Sequence, residues 1–142
     1  MNRRAFQWTH RVTYAECTLG NHVYYARYLD ILEAARGEFF RSLGQPFLRW
    51  QNEEVLLPVI EARIRYRKAA RYDDVLTIEL VVTELGRVRV AFGGRMLDES
   101  GESIIEATTV HACTGLDEKP RRLPDALREA LQPFVTAPEE SK

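Results

Sequence analysis

VTYAECTLGNHVYYARYLDILEAARGEFFRSLG, from Val12 to Gly44, decides how the rest of the chain is read. It opens on an alternating strand, turns at Leu19-Gly20-Asn21 and continues as a helix. At ~100° per residue, Tyr28, Leu32, Ala35, Phe39 and Leu43 share one helical face, while Leu29, Ile31 and Phe40 widen the apolar arc beyond half the circumference. Such a helix calls for cover on most sides. Gly20 or Asn21 can take the left-handed conformation cheaply, and Asn21 can also cap exposed amides. Gly44, with Pro46 two residues later, reads as the helix stop.

Working outward, residues 5 to 18 form the first predicted strand, with Val12, Tyr14, Glu16 and Thr18 on one side and Thr13, Ala15 and Cys17 on the other. Residues 47 to 54 read as a connecting loop. Four further strands follow, Val55 to Arg67, Val75 to Glu84, Val88 to Leu97 and Ser103 to Thr114, joined by hairpin turns at Leu85-Gly86 and Asp98-Glu99-Ser100-Gly101. Short connections after a single helix argue for one antiparallel sheet rather than repeated βαβ units. In the second strand, Ile60, Ala62, Ile64 and Tyr66 alternate with Glu61, Arg63, Arg65 and Arg67, the pattern of a half-solvated sheet. Gly93-Gly94 marks a bulge or a close backbone approach. Asp125 to Leu131 can form a short helix, and the polar residues from Thr136 to Lys142 read as a frayed tail behind a single domain of residues 1 to 135.

A chain of 142 residues, 45% hydrophobic and 29% charged, fits one domain with an ordinary core. The formal charge of −1 advertises neither nucleic acid nor an anionic membrane as partner. The first residues, MNRRAFQWTHRV, lack the apolar run of a signal peptide, and no later run approaches the ~20 apolar residues of a membrane span, so a cytoplasmic protein is expected. Cys17 and Cys113 have no metal-ligand spacing and are expected as thiols. His10, His22 and His111 are too scattered to suggest a metal site.

One long helix wrapped by a five-stranded antiparallel sheet is an α+β hotdog fold, and the residues strengthen that reading. Glu16-Cys17-Thr18-Leu19-Gly20-Asn21-His22-Val23-Tyr24-Tyr25-Ala26-Arg27-Tyr28-Leu29, then Glu33-Ala34-Ala35-Arg36, resembles the opening of the 4-hydroxybenzoyl-CoA thioesterase family. The resemblance continues through Pro58-Val59, Tyr66, Ala69-Ala70-Arg71-Tyr72-Asp73-Asp74 and Arg121-Arg122-Leu123-Pro124, and so spans most of the chain. It implies hydrolysis of an acyl-CoA or acyl-carrier-protein thioester between the protomers of a homodimer or tetramer. No cofactor is implied, because the CoA thioester is the substrate.

The resemblance also implies a carboxylate as base or nucleophile, and helix-start amides that hold the developing oxyanion. Unpartnered N–H groups at a helix start carry partial positive charge, which stabilises a carbonyl oxygen gaining negative charge. Motif matching assigns this role to the Tyr25 amide. His22, Val23, Tyr28 and Arg36 fall on the substrate-binding side of the same match. The family's catalytic aspartate falls on Thr18, which needs another group to deprotonate it. Glu16 matches the motif's first acid, but two strand residues separate it from Thr18 by ~6.5 Å.

Glu33 is the preferred carboxylate, since one branch of the fold carries a catalytic glutamate about two turns beyond the oxyanion amide. Partial burial at the margin of the apolar arc would raise its pKa toward useful basicity. An ion pair with Arg36 is the competing account of Glu33. Arg36, inside the apolar arc, needs a partner from Glu33, a backbone carbonyl or substrate. Hotdog thioesterases of enediyne synthesis lack the acid and resemble this chain at Glu16-Cys17-Thr18 and Val23-Tyr24-Tyr25, which makes Thr18 and Arg36 the acid-free alternative. The Thr18 substitution also motivates a non-hydrolytic binder of acyl thioesters as a second reading. Cys17 reads as a packed thiol, and His22 as either a substrate contact or a capping residue. Arg63, Arg65, Arg67, Lys68 and Arg71 read as a solvated face before a site for CoA phosphates.

Overall fold

The computed structural model describes residues 4–136. Five strands, β1 (Phe6–Arg11), β2 (Val59–Tyr66), β3 (Val75–Leu85), β4 (Arg89–Leu97) and β5 (Ser103–Ala112), form one sheet in the order β1-β3-β4-β5-β2. Every neighbouring pair is antiparallel. Helix α1 (Arg27–Ser42) packs on one face of the sheet, α2 (Phe47–Asn52) follows it, and α3 (Asp125–Leu131) comes after β5. This is the expected α+β hotdog arrangement.

Period-two burial in β3 seats the helix. Leu76, Ile78, Leu80 and Val82 are buried in alternation and meet Tyr28, Ile31, Leu32, Ala35, Phe39 and Phe40 of α1 in one apolar cluster. Phe39 is fully buried, with ring centroids of Phe6 at 5.1 Å and Phe134 at 4.8 Å. Full burial of one such side chain contributes about 1.5–3 kcal/mol. Gly94 marks a close approach, as one of the two readings of the glycine pair has it. A Cβ there would lie 3.1 Å from Leu32 Cδ2 and 3.0 Å from Leu80 Cδ2, so the bare backbone lets α1 settle onto β4.

Four expectations are corrected. The first strand ends at Arg11, and Tyr14–Glu16 is a 3₁₀ turn, so the parity assigned to residues 12 to 18 does not apply. The glutamate side chain that accepts from the Thr13 amide favours the turn over the strand. The supposed loop at 47 to 54 is largely α2, entered from Pro46 in extended conformation. Helix α1 is covered on one side only: Leu29 is 37% exposed, and the opposite face carries the ion pairs Arg27–Asp30 and Glu38–Arg41. Finally, β2 is an edge strand that is mostly exposed on both faces, with Val59, Ile60 and Tyr66 among its open apolar side chains.

At the end of the described chain, the Thr136 amide donates to the Val82 carbonyl at 2.9 Å, so this residue is held against β3. Residues 137 to 142 of the expected frayed tail lie outside the described residues. Among the described residues, no helix is long and apolar enough to cross a membrane, and no cluster of His, Cys, Asp and Glu could hold a metal ion.

Candidate active site

The segment before α1 is pinned from several directions. Cys17 and Val23 form an isolated antiparallel bridge, and inside it the Thr18 amide donates to the His22 carbonyl at 2.8 Å. Asn21 turns the chain with φ of 60°, and its side-chain oxygen accepts from the Tyr72 amide at 3.1 Å. The Val23 amide donates to Ala70, and the Tyr24 amide donates to the Glu16 carbonyl. Tyr66 completes the frame by donating its hydroxyl to the Tyr25 carbonyl at 3.1 Å.

After these bonds, the last two amides before α1 are left over. The amides of Tyr25 and Ala26 have no acceptor among the described residues. They stand at the positive end of the α1 dipole, where an oxygen gaining charge is stabilised. Tyr25 itself is 61% exposed, so this end of the helix is open in the single chain.

Of the other residues singled out, several have structural work. Val23 is buried in the core, and so is Tyr28, whose hydroxyl oxygen accepts from the Ala70 amide at 3.2 Å. Both hold the helix start in place. The Thr18 hydroxyl donates to the His22 carbonyl at 3.3 Å, and His22 is exposed beside it. Glu16 is tied down by His10 Nε2, 3.0 Å from each carboxylate oxygen, and by the Thr13 amide at 2.8 Å. Burial first, with the Glu16 carboxylate next, pushes the Cys17 thiol up, which disfavours the nucleophilic thiolate. In the basic stripe, Arg63, Arg67 and Lys68 pair with Glu61, Glu106 and the Asp98/Glu102 couple, as a solvated face would.

Glu33 and Arg36 sit elsewhere, along α1, where they line a cavity of about 210 Å³ with Phe40, Trp50, Leu57 and His111. Glu33 is exposed in the single chain, so the expected burial is lacking there, and no ion pair joins it to Arg36 within 4.0 Å among the described residues. Arg36 is half-buried, its guanidinium 6.0 Å from the Phe92 ring centroid. Burial lowers its pKa and the Glu33 carboxylate partly restores it.

His111 and Trp50 were missed as members of this group. His111 is buried, with Nδ1 2.9 Å from the Leu57 carbonyl and Nε2 3.0 Å from Thr109 Oγ1. A neutral ring that donates from Nδ1 and accepts at Nε2 satisfies both contacts. Burial, helped by the Arg36 charge, pushes its pKa down to about 4. Trp50 Nε1 is buried without a hydrogen-bond partner among the described residues. Its signal in the sequence was Phe47 and Trp50, three residues apart after Pro46, the pattern of a short helix with one apolar side.

With this geometry in place, the chain can be compared with known proteins. Residues 12–131 match the family model described as "Thioesterase-like superfamily", and the chain belongs to that family. It is 32% identical over 128 residues to "Acyl-CoA thioesterase YbgC" of Haemophilus influenzae, covering 89% of this chain and 93% of the relative. It is 28% identical over 130 residues to the "1,4-dihydroxy-2-naphthoyl-CoA hydrolase" of Synechococcus elongatus, covering 89% of this chain and 95% of the relative. The crystal structure of the Thermus thermophilus protein TT1821 superposes with a TM-score of 0.85 at 29% identity, covering 92% of this chain and 98% of that one.

Proposed function

We infer that this protein is an acyl-CoA thioester hydrolase. The observation that carries the reading is the pair of unpartnered amides, Tyr25 and Ala26, at the head of α1 in a chain of the thioesterase-like superfamily. A thioester carbonyl docked there points its oxygen at both donors. As water adds to the carbonyl carbon, the oxygen gains charge and the amides stabilise it, after which the C–S bond breaks and the CoA thiol leaves. Acyl-CoA is the substrate, with no added cofactor, and delivery on an acyl-carrier protein is the finer alternative.

The base is Glu33, acting across a homodimer. Eight residues at 1.5 Å rise put Glu33 about 12 Å beyond Tyr25 along the helix, too far for a glutamate to touch a carbonyl held at its own helix head. A second copy can close that gap. The exposed edge β2, with Val59 and Ile60 49% and 54% exposed, supports pairing with another protomer. Such pairing would give Glu33 the cover it lacks in the single chain. In this account Thr18 and His22 shape the entry to the helix head.

Thiol release from acyl-CoA tests this arrangement. Glu33→Gln should lose most of the rate while keeping its fold, and Thr18→Ala should lose little. The assignment across the dimer is checked by mixing Glu33→Gln with Tyr25→Pro, which lacks the oxyanion amide. Free exchange makes half the dimers mixed, each with one intact site, so activity should return to about a quarter of wild type. No recovery, with mixed dimers formed, would confine Glu33 to its own helix or remove it from the chemistry.

A further inference from the structure

The cavity beside Glu33 is lined by a cation that nothing among the described residues pairs with. Arg36 carries a guanidinium with five N–H groups, and among the described residues it has neither an ion pair nor a hydrogen bond. Trp50, 6% exposed, also lines the cavity, but its Nε1 is buried away from that space, so it offers the cavity an aromatic wall. His111, neutral and engaged at both nitrogens by Leu57 and Thr109, supplies no negative charge to balance Arg36. Glu33 is the one carboxylate of the lining; in the single chain it sits exposed at the rim and makes no ion pair with Arg36 within 4.0 Å, while the cation behind it is partly stripped of water. Gln51 adds a further polar side chain, and Phe40, Phe47, Val55, Leu56 and Leu57 make the apolar part of the wall.

A slot of mixed polarity with an unpaired cation fits a ligand with a hydrocarbon body and an anionic, oxygen-bearing end. Burying an unpaired guanidinium is costly, and a carboxylate is the planar partner that its fork matches. We propose that this cavity receives the far end of the acyl group and that this end is a carboxylate, held by Arg36. The preferred substrates are then ω-carboxyacyl-CoA thioesters, monothioesters of dicarboxylic acids. This assignment rests on the hydrolytic reading above and adds the chemical class of the acyl group to it. The cavity, about 210 Å³, has room for a carboxylate-tipped segment of the acyl chain.

The test compares matched pairs of CoA thioesters, succinyl with butyryl, glutaryl with valeryl, adipyl with hexanoyl and suberyl with octanoyl, by thiol release. In wild type, kcat/KM for the carboxylate-tipped member should exceed that of its methyl-tipped mate about ten- to a hundredfold at one chain length or more, the range expected for hydrogen bonds to a charged group. Arg36→Met, close in volume, should bring that ratio to about one or below. A wild-type ratio near one at every length overturns the proposal, and so does a ratio that survives Arg36→Met. If neither series releases thiol, the hydrolytic reading has failed on its own, and the cavity is judged by titrating free adipate against tryptophan fluorescence. A saturable change lost in Arg36→Met upholds the carboxylate site, while no saturable change, or one kept in Arg36→Met, overturns it.

Discussion

His111 shows at the scale of one residue how this fold uses a titratable group without charging it. The ring is held neutral by burial, with its pKa pushed down to about 4 from an ordinary 6.5. An unfolded chain takes up a proton at this histidine below about 6.5, whereas the folded chain resists until about 4. The contribution is therefore complete above about 6.5 and is lost as the pH falls toward about 4, with a magnitude of about 3 kcal/mol. Urea unfolding of wild type and His111→Gln at pH 7, 5 and 4 measures this directly. The stability gap between them should narrow by up to about 3 kcal/mol as the pH falls, and a constant gap would contradict the account. Legibility was uneven among single residues. Tyr25 was found from the motif, because the role belongs to a backbone amide and needs only the position of the helix head. Glu33 and Arg36 were also named, but their shared cavity was not, because His111 is seventy-five positions beyond Arg36 and only the β5 register brings the two together.

The helix and the sheet were legible as elements because the side-chain periods differ. Period two in β3 and a spread of apolar residues at three and four apart in α1 survive any change of context. The first strand was read too long because Val12 to Thr18 alternates by accident, while the Glu16 carboxylate, caught by His10 and the Thr13 amide, selects a turn. The strand β2 was read as half-solvated because its alternation was visible and its place at the edge of the sheet was not. Gly94 is where element meets element. Adding a Cβ there pushes at Leu32 and Leu80, both buried, so Gly94→Ala should destabilise by about 1–3 kcal/mol through overpacking. A urea midpoint equal to that of wild type would mean that α1 does not press on β4 as described.

For the whole molecule, the organisation is a helix laid on one face of a sheet, with its head open and its middle beside a cavity. The single chain leaves the helix head, the Glu33 side chain and the β2 edge uncovered together, which is why the proposed site takes parts from two copies. The helix head and Glu33 were readable from the motif, but the exposed β2 edge was not, since exposure of an edge is a property of the assembled sheet. The central claim is nevertheless local to one backbone amide, and one pair of variants addresses it. Tyr25→Ala removes the side chain and keeps the N–H, whereas Tyr25→Pro removes the N–H. Steady-state thiol release from the best acyl-CoA should leave Tyr25→Ala within a few-fold of wild type and drop kcat about a hundred- to a thousandfold in a folded Tyr25→Pro. Equal rates in the two variants would contradict the assignment of the helix head as the oxyanion site.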